Sequence, residues 1–139
     1  MIYVDGENAV FGRTGTKIAK ALIAGESVLL YNCEKMRISG SLEVQKAKLV
    51  SHRSQTNKRD PSESPHWPRV PDLLVRRMLR GMLPWSSQRG RDAYKRLHVQ
   101  IGAPEYIHEK ITKMEAAKKE LGQSFTILQL SQALGYQMR

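Results

Sequence analysis

The chain has few of the residues on which disulfides and metal sites depend. Its 139 residues include one cysteine, Cys33, and four histidines. A single cysteine excludes an internal disulfide and any multi-cysteine zinc site, as is typical of a reducing cytosol. The histidines have no spacing typical of metal ligands. We therefore expect no metal and no cofactor, and we interpret Cys33, which follows an apolar run, as a small core residue rather than a nucleophile.

Long apolar segments are also missing. No run of apolar residues is long enough to cross a bilayer, and residues 1–5 lack the basic and apolar regions of a signal peptide. The composition, 40% hydrophobic and 26% charged, is close to that of ordinary globular proteins and unlike that of disordered ones. We expect a cytoplasmic protein of one domain's length that buries its own core.

Positive charge is what the chain has in excess. It carries 23 Lys and Arg against 13 Asp and Glu, a formal net charge of +10. Residues 51–100 account for +7 of this excess, whereas residues 1–50 account for +2 and residues 101–139 for +1. Solubility alone would not need this concentration, so the distribution favours a surface that binds a polyanion, either nucleic acid or an anionic membrane.

A long basic loop is predicted over residues 51–71. Four of the six prolines lie there without any apolar period, which excludes a core strand and a continuous helix. Folding against RNA would order such a loop, with His52, His66 and Trp67 supplying hydrogen bonds or stacking; the alternative is a plain mobile loop. The cations that would neutralise phosphates in this loop are Arg53, Lys58, Arg59 and Arg69.

Before the loop, strand and helix patterns alternate. Residues 2–4 and 27–31 have the apolar runs of buried strands, and residues 14–24 and 42–52 have helical periodicity. This order predicts an α/β fold with a parallel sheet and right-handed crossovers. Four positions of the second helix are expected to face the core, namely Val44, Ala47, Leu49 and Val50.

A helix that begins at Pro71 has two distinct sides. At about 100° per residue, one side collects the apolar residues and the other collects Arg76, Arg77 and Arg80. No acid lies among these arginines, so pairing within the helix does not explain them, and we interpret them as a phosphate-binding face. The apolar side consists of Leu74, Val75, Met78, Leu79 and Met82.

Strand and helix patterns continue after residue 96, and residues 101–139 carry a net charge of only +1. Residues 97–101 alternate as in a strand, residues 104–121 predict a charge-mixed helix, and Thr126 predicts the N-cap of a final short helix. Residues 86–96 extend the basic surface through Arg89, Arg91, Lys95 and Arg96.

An enzyme is a weaker interpretation. Five residues separate Gly6 from Gly12, and Arg13 follows, whereas a nucleotide-binding P-loop has four residues and a lysine. The N-terminus of the next helix, with Arg13 and Lys17, suits a phosphate of RNA. We expect no catalytic residues and no small-molecule substrate, although a small nucleotide-dependent enzyme that uses residues 6–17 remains an alternative hypothesis.

Several segments, taken in chain order, carry a family resemblance. They are IYVDGENAVFGR from residue 2, VLLYNCEK from residue 28, RGMLPW from residue 80 and GRDAYKRLHVQIG from residue 90. Over about residues 2–104 the chain resembles the universal large-subunit ribosomal protein L13 family. The Pro-Trp that ends the third segment, and FTILQLSQALG from residue 125, resemble the archaeal form.

The resemblance implies a three-layer α/β/α domain over residues 1–104 with a four-stranded, mainly parallel sheet, and a C-terminal helical extension over residues 105–139. It implies a structural, non-catalytic constituent of the large ribosomal subunit that binds ribosomal RNA, contacts neighbouring ribosomal proteins and supports early assembly. The alternative is a free RNA-binding translational regulator whose last two helices contact a partner. Carried onto this chain, the RNA-facing positions are Arg13, Lys35, Arg37, the 53–69 loop, Arg76, Arg77, Arg80 and residues 89–96, with Trp67 or Trp85 stacking or packing at the RNA surface.

Overall fold

The computed structural model describes residues 1–104 and 122–137, together with the backbone of residues 112–114. Strands and helices alternate along most of the chain. In chain order they are β1 (Ile2–Asp5), α1 (Phe11–Ala24), β2 (Val28–Tyr31), β3 (Arg37–Ser39), α2 (Leu42–Ser54), α3 (Pro71–Arg80), α4 (Gln88–Lys95), β4 (Leu97–Val99), β5 (Thr112–Met114), β6 (Ser124–Thr126) and α5 (Ile127–Ala133).

A parallel sheet forms the centre of the molecule. β2 lies between β1 and β4, with Val28 opposite both Ile2 and Leu97. β5 lies parallel to β1 on its other side, and β3 and β6 form a separate antiparallel pair. The predicted α/β fold with a mainly parallel sheet is confirmed. The four-stranded, three-layer arrangement stays a prediction, because the residues on both sides of β5 lie outside the described ranges.

Two apolar clusters hold the helices in place. The larger one joins the sheet to α1 and α3 through buried side chains such as Val4, Leu30, Ile18 and Leu79. The smaller one contains Leu74 together with side chains from α2, β6 and α5. Because α3 supplies buried residues to both clusters, its orientation about its own axis is fixed by packing on two sides.

The apolar side predicted for α3 is confirmed. Leu74, Val75 and Leu79 are buried, and Met78 and Met82 pack against the core. Pro71 occupies the first turn, as predicted.

The core interpretation of Cys33 is also confirmed, since its side chain is fully buried. Burial, with a smaller contribution from the Glu34 carboxylate, raises the pKa of the Cys33 thiol to about 12. The thiol therefore stays protonated at neutral pH, which suits a core residue and not a nucleophile.

The inward face predicted for α2 is wrong at three of its four positions. Leu49 is buried, but Val44 and Val50 are 54% and 50% exposed, and Ala47 is exposed as well. Leu49 belongs to the smaller cluster and Leu42 packs against it, whereas Val44, Ala47 and Val50 join neither apolar cluster of the described residues. α2 also continues to Ser54, two residues beyond its predicted end and into the predicted loop.

Other predicted boundaries shift for local reasons. α1 begins at Phe11 rather than at the predicted Thr14. The sequence did not indicate this start, because the N-cap residue, Val10, makes no side-chain hydrogen bond to the helix. A helix over residues 104–121 is wrong at Thr112–Met114, which form β5; the rest of that segment lies outside the described ranges. Thr126 caps α5 as predicted, with its hydroxyl accepting from the Gln129 N–H. No helix within the described ranges is long and apolar enough to cross a membrane.

Close packing at Gly90 gives a test of the fold. A Cβ at Gly90 would overlap the Pro84 carbonyl group, and the Gly90 N–H donates to the N-cap Ser87 Oγ at 3.2 Å. We expect Gly90→Ala to lower the free energy of unfolding by about 2 kcal/mol, because backbone must shift to admit the methyl group. Urea denaturation followed by circular dichroism measures this change.

Gly12→Ala is the matched control for this substitution. A Cβ at Gly12 meets nothing within 4 Å, so we expect unchanged stability or a gain of at most about 1 kcal/mol. Equal unfolding midpoints for the two variants would contradict the packing described for Gly90.

Candidate nucleic-acid interface

The three arginines of α3 lie over aromatic rings that come from other segments of the chain. Each guanidinium carbon is close enough to a ring centroid for a cation–π contact. The pairs are Arg76 with Tyr94 at 4.9 Å, Arg77 with Trp67 at 5.1 Å and Arg80 with Trp85 at 3.8 Å. We call these six residues the arginine–aromatic surface.

Each ring of the surface also contacts a second ring. Trp85 meets Tyr94 edge to face, with centroids 5.2 Å apart and planes at 89°. His52 of α2 stacks on Trp67 at 5.3 Å and 17°, which ties the segment before α3 to α2. The rings are therefore held by their neighbours in offset or edge-on geometries that aromatic pairs favour.

The arginines of this surface have no anionic partner among residues 1–104 and 122–137. Within the described residues, no carboxylate forms an ion pair with Arg76, Arg77 or Arg80, and the Arg76 Nε is buried without a hydrogen-bond partner. A ring satisfies the face of a guanidinium and, apart from the buried Arg76 Nε, leaves the N–H donors around its edge available. Three fixed positive charges with unused donors are suited to phosphate oxygens.

Tyr94 lies within the RNA-facing range 89–96, but the sequence analysis did not single it out as a member of the surface. The available signal was an aromatic residue between cations in residues 91–96. That signal is weak on its own, because only the packing of α4 beside α3 brings Tyr94 under Arg76.

The loop predicted over residues 51–71 has internal hydrogen bonds. The Asn57 N–H donates to Ser64 Oγ, and the Ser62 N–H donates to the Asp60 carboxylate, each at 2.9 Å. The hydrogen bonds from Ser62 lower the pKa of Asp60. A short 3-10 turn, Pro61–Glu63, follows Asp60. The predicted RNA-binding residues of this segment that are exposed are His52, Lys58, Arg59, His66 and Arg69, whereas Arg53 and Trp67 are half-buried.

A second group of predicted residues meets at the start of α1. Arg13 and Arg37 line a cleft of about 530 Å³ between the N-terminus of α1, β3 and α2. None of the described residues that line this cleft is acidic, and Thr16, Ser39 and Gln45 add polar side chains to it. The cleft shares no residue with the arginine–aromatic surface.

Two more predicted residues lie near this end of the chain. Lys35 is exposed and forms an ion pair with Glu7 at 3.5 Å. Lys17 is exposed on α1.

Two of the basic residues predicted near α4 contact the protein itself. Arg96 Nη2 donates to the Leu22 carbonyl at 2.8 Å, and Arg89 Nη2 donates to the Ile23 carbonyl at 3.2 Å. Both acceptors lie in the last turn of α1, where the helix dipole favours cations; the Leu22 carbonyl also accepts from the Gly25 N–H at 3.2 Å. These arginines therefore stabilise the C-terminal end of α1.

The other two basic residues of this segment remain near solvent. Arg91 is exposed and donates to the Gln88 amide oxygen at 3.0 Å. Lys95 lies 3.7 Å from Asp92 in an exposed pair, which contributes little to stability.

The loop between β1 and α1, which contains Gly6, is surrounded by oxygen atoms and does not suit a nucleotide phosphate. The Asp5 carboxylate accepts from the Glu7 N–H at 3.0 Å and from Asn32 Nδ2 at 2.9 Å. Gly6 lies against the carbonyl oxygens of Tyr31 and Asn32. A loop surrounded by oxygens repels phosphate, so the geometry does not favour the nucleotide-dependent enzyme.

Comparisons with known proteins point to one family. The family model described as ribosomal protein L13 matches residues 1–106. The chain is 40% identical over 141 residues to the large ribosomal subunit protein uL13 of Methanopyrus kandleri, covering 97% of this chain and 87% of that protein. The protein of the same name from Methanococcus maripaludis is 36% identical over 136 residues, covering 97% and 98%. That from Archaeoglobus fulgidus is 34% identical over 138 residues, covering 96% and 86%.

The structural role of Arg96 can be separated from RNA binding. We expect Arg96→Ala to lower the free energy of unfolding by about 1–2 kcal/mol, because the C-terminus of α1 loses a hydrogen bond and a cation. Arg91→Ala removes the same charge from an exposed position, and we expect a change of at most about 0.5 kcal/mol. Thermal and urea unfolding measure both; equal effects would show that Arg96 does not stabilise α1.

Proposed function

The chain belongs to the ribosomal protein L13 family, and on that premise we propose that it binds large-subunit ribosomal RNA through the arginine–aromatic surface and supports early assembly of the subunit. It is a structural ribosomal protein and not an enzyme. Its place is the large subunit of the cytoplasmic ribosome. The proposed partners are ribosomal RNA and neighbouring large-subunit proteins.

The observation that carries this proposal is the set of three arginines that pair with no carboxylate in the described part of the chain. An arginine on a flexible side chain loses rotamer freedom when it binds phosphate, which weakens binding. Arg76, Arg77 and Arg80 already lie against rings, so less freedom is lost when RNA arrives. Their planar guanidiniums also suit bidentate contacts with phosphate.

Further positive charge supports the same proposal from other parts of the chain. We propose that the cleft with Arg13 and Arg37 accepts a backbone phosphate, since it joins two guanidiniums to a helix N-terminus. The exposed cations of the basic loop and Lys17, Lys35, Arg91 and Lys95 add to the long-range attraction. Arg89 and Arg96 contribute by positioning α1.

The predicted overall arrangement is part of this proposal. It consists of a four-stranded sheet between two helical layers over residues 1–104, with residues 105–139 as an extension. The parallel pairing of β5 with β1 supports the fourth strand.

The described residues do not favour the translational regulator. That alternative needs two helices at the end of the chain, but Thr112–Met114 form a strand. The final helix buries Ile127 and Leu130 in the two apolar clusters, so its apolar side is occupied by the domain itself.

Changing Arg76, Arg77 and Arg80 together to Ala tests the proposal. We expect weaker binding to large-subunit ribosomal RNA and a shallower salt dependence, with the slope of log affinity against log salt concentration reduced in magnitude by about 2–3. Filter binding to transcribed RNA across a series of potassium chloride concentrations gives this slope. Circular dichroism and thermal melting check that the variant is folded.

A triple variant of Lys20, Lys46 and Lys48 to Ala is the charge-matched control. These lysines are exposed and lie outside the predicted binding residues, so we expect a slope within about 1 of the unaltered protein. An unchanged slope for the arginine variant, or equal losses in the two variants, would contradict binding through α3.

A further inference from the structure

We propose that a pocket between two arginine–tryptophan pairs of the surface binds a single unpaired RNA base. The inference rests on the proposed RNA-binding function and adds the kind of RNA element that is recognised. The protein would then contact a loop or bulge nucleotide as well as the phosphate backbone.

The pocket has a volume of about 340 Å³ and lies at the end of α3. Both arginine–tryptophan pairs line it, namely Arg77 with Trp67 and Arg80 with Trp85. The lining residues are Trp67, Arg77, Arg80, Gly81, Leu83 and Trp85.

The lining is suited to a base better than to a phosphate alone. Two indoles and Leu83 supply apolar surface, which a phosphate ion would not use and which a nucleobase covers when it stacks. Guanidinium planes also stack on bases, and their edge donors reach the base edge or the adjacent phosphates. The same pocket therefore offers stacking for a base and positive charge for the backbone that carries it.

The walls of the pocket are held before any ligand arrives. His52 stacks on Trp67, and Tyr94 meets Trp85 edge to face. Leu83, at the base of the following turn, is buried. A preformed site loses little conformational freedom on binding, which is the usual condition for inserting one base between fixed planar groups.

The geometry selects single-stranded RNA. Bases inside an A-form duplex are stacked on their neighbours, which cover their faces, and the deep, narrow major groove keeps side chains from their edges. A base can enter a pocket between Trp67 and Trp85 only after it has left the stack, which is least costly for a nucleotide that is already unpaired.

Two kinds of footprint on one complex test this proposal. The full chain is bound to the transcribed large-subunit ribosomal RNA that accompanies it in its own ribosomes. Hydroxyl radicals report contacts along the ribose backbone, and reagents that modify Watson–Crick edges report unpaired bases. We expect at least one unpaired base within the ribose footprint to lose reactivity by about fivefold or more when the protein binds.

Two variants remove the pocket in different ways. Trp85→Leu removes one ring, and Gly81→Leu adds a side chain to the lining, where a Cβ would meet only the Met78 carbonyl oxygen at 3.3 Å. We expect both variants to restore the reactivity of the same base. Gly81→Leu leaves all six residues of the arginine–aromatic surface in place, so the ribose footprint should persist in that variant. Trp85→Leu also removes the ring against which Arg80 lies, so we expect its ribose footprint to weaken. Trp85→Phe keeps an aromatic ring and should keep the base protected.

The outcomes separate this proposal from the proposed function. A ribose footprint without any protected unpaired base, or protection that survives in both Trp85→Leu and Gly81→Leu, would overturn the base pocket and leave RNA binding intact. The absence of a ribose footprint for the unaltered protein would overturn both.

Discussion

The burial of α3 on two sides is the constraint on which the proposed interface depends. Leu74 packs into one apolar cluster and Leu79 into the other, so the helix cannot rotate without opening the core. Its remaining side must then present Arg76, Arg77 and Arg80 together. The free energy that orients these positive charges comes from apolar burial, and no carboxylate of the described residues pairs with them.

The rings that meet these arginines come from three different segments. Trp67 precedes α3, Trp85 follows it, and Tyr94 lies on α4, so the surface exists only in the folded chain. The packing of α4 depends in turn on a glycine at position 90 that admits the Pro84 carbonyl. The turn between α3 and α4, which contains residues of the segment RGMLPW, therefore links the packing at Gly90 to the proposed binding surface.

Sequence reasoning succeeded where short-range periodicity decides the outcome. The apolar side of α3 and the cap at Thr126 follow from residues within one or two turns of each other. It failed where the answer depends on distant neighbours. Val44 has apolar chemistry but no partner, Tyr94 becomes relevant only beside Arg76, and Arg96 reaches a helix end more than 70 residues earlier in the chain. Charge counting did not show that Arg96 also donates to the end of α1, and its contact with RNA stays a prediction.

A density map of the assembled large subunit that contains this chain, at side-chain resolution, tests the central claim most directly. The account predicts RNA phosphate oxygens within hydrogen-bond distance, about 3 Å, of the guanidiniums of Arg76, Arg77 and Arg80, each still over its ring. A map in which these three arginines face only solvent or another protein, with the RNA bound elsewhere on the chain, would contradict it.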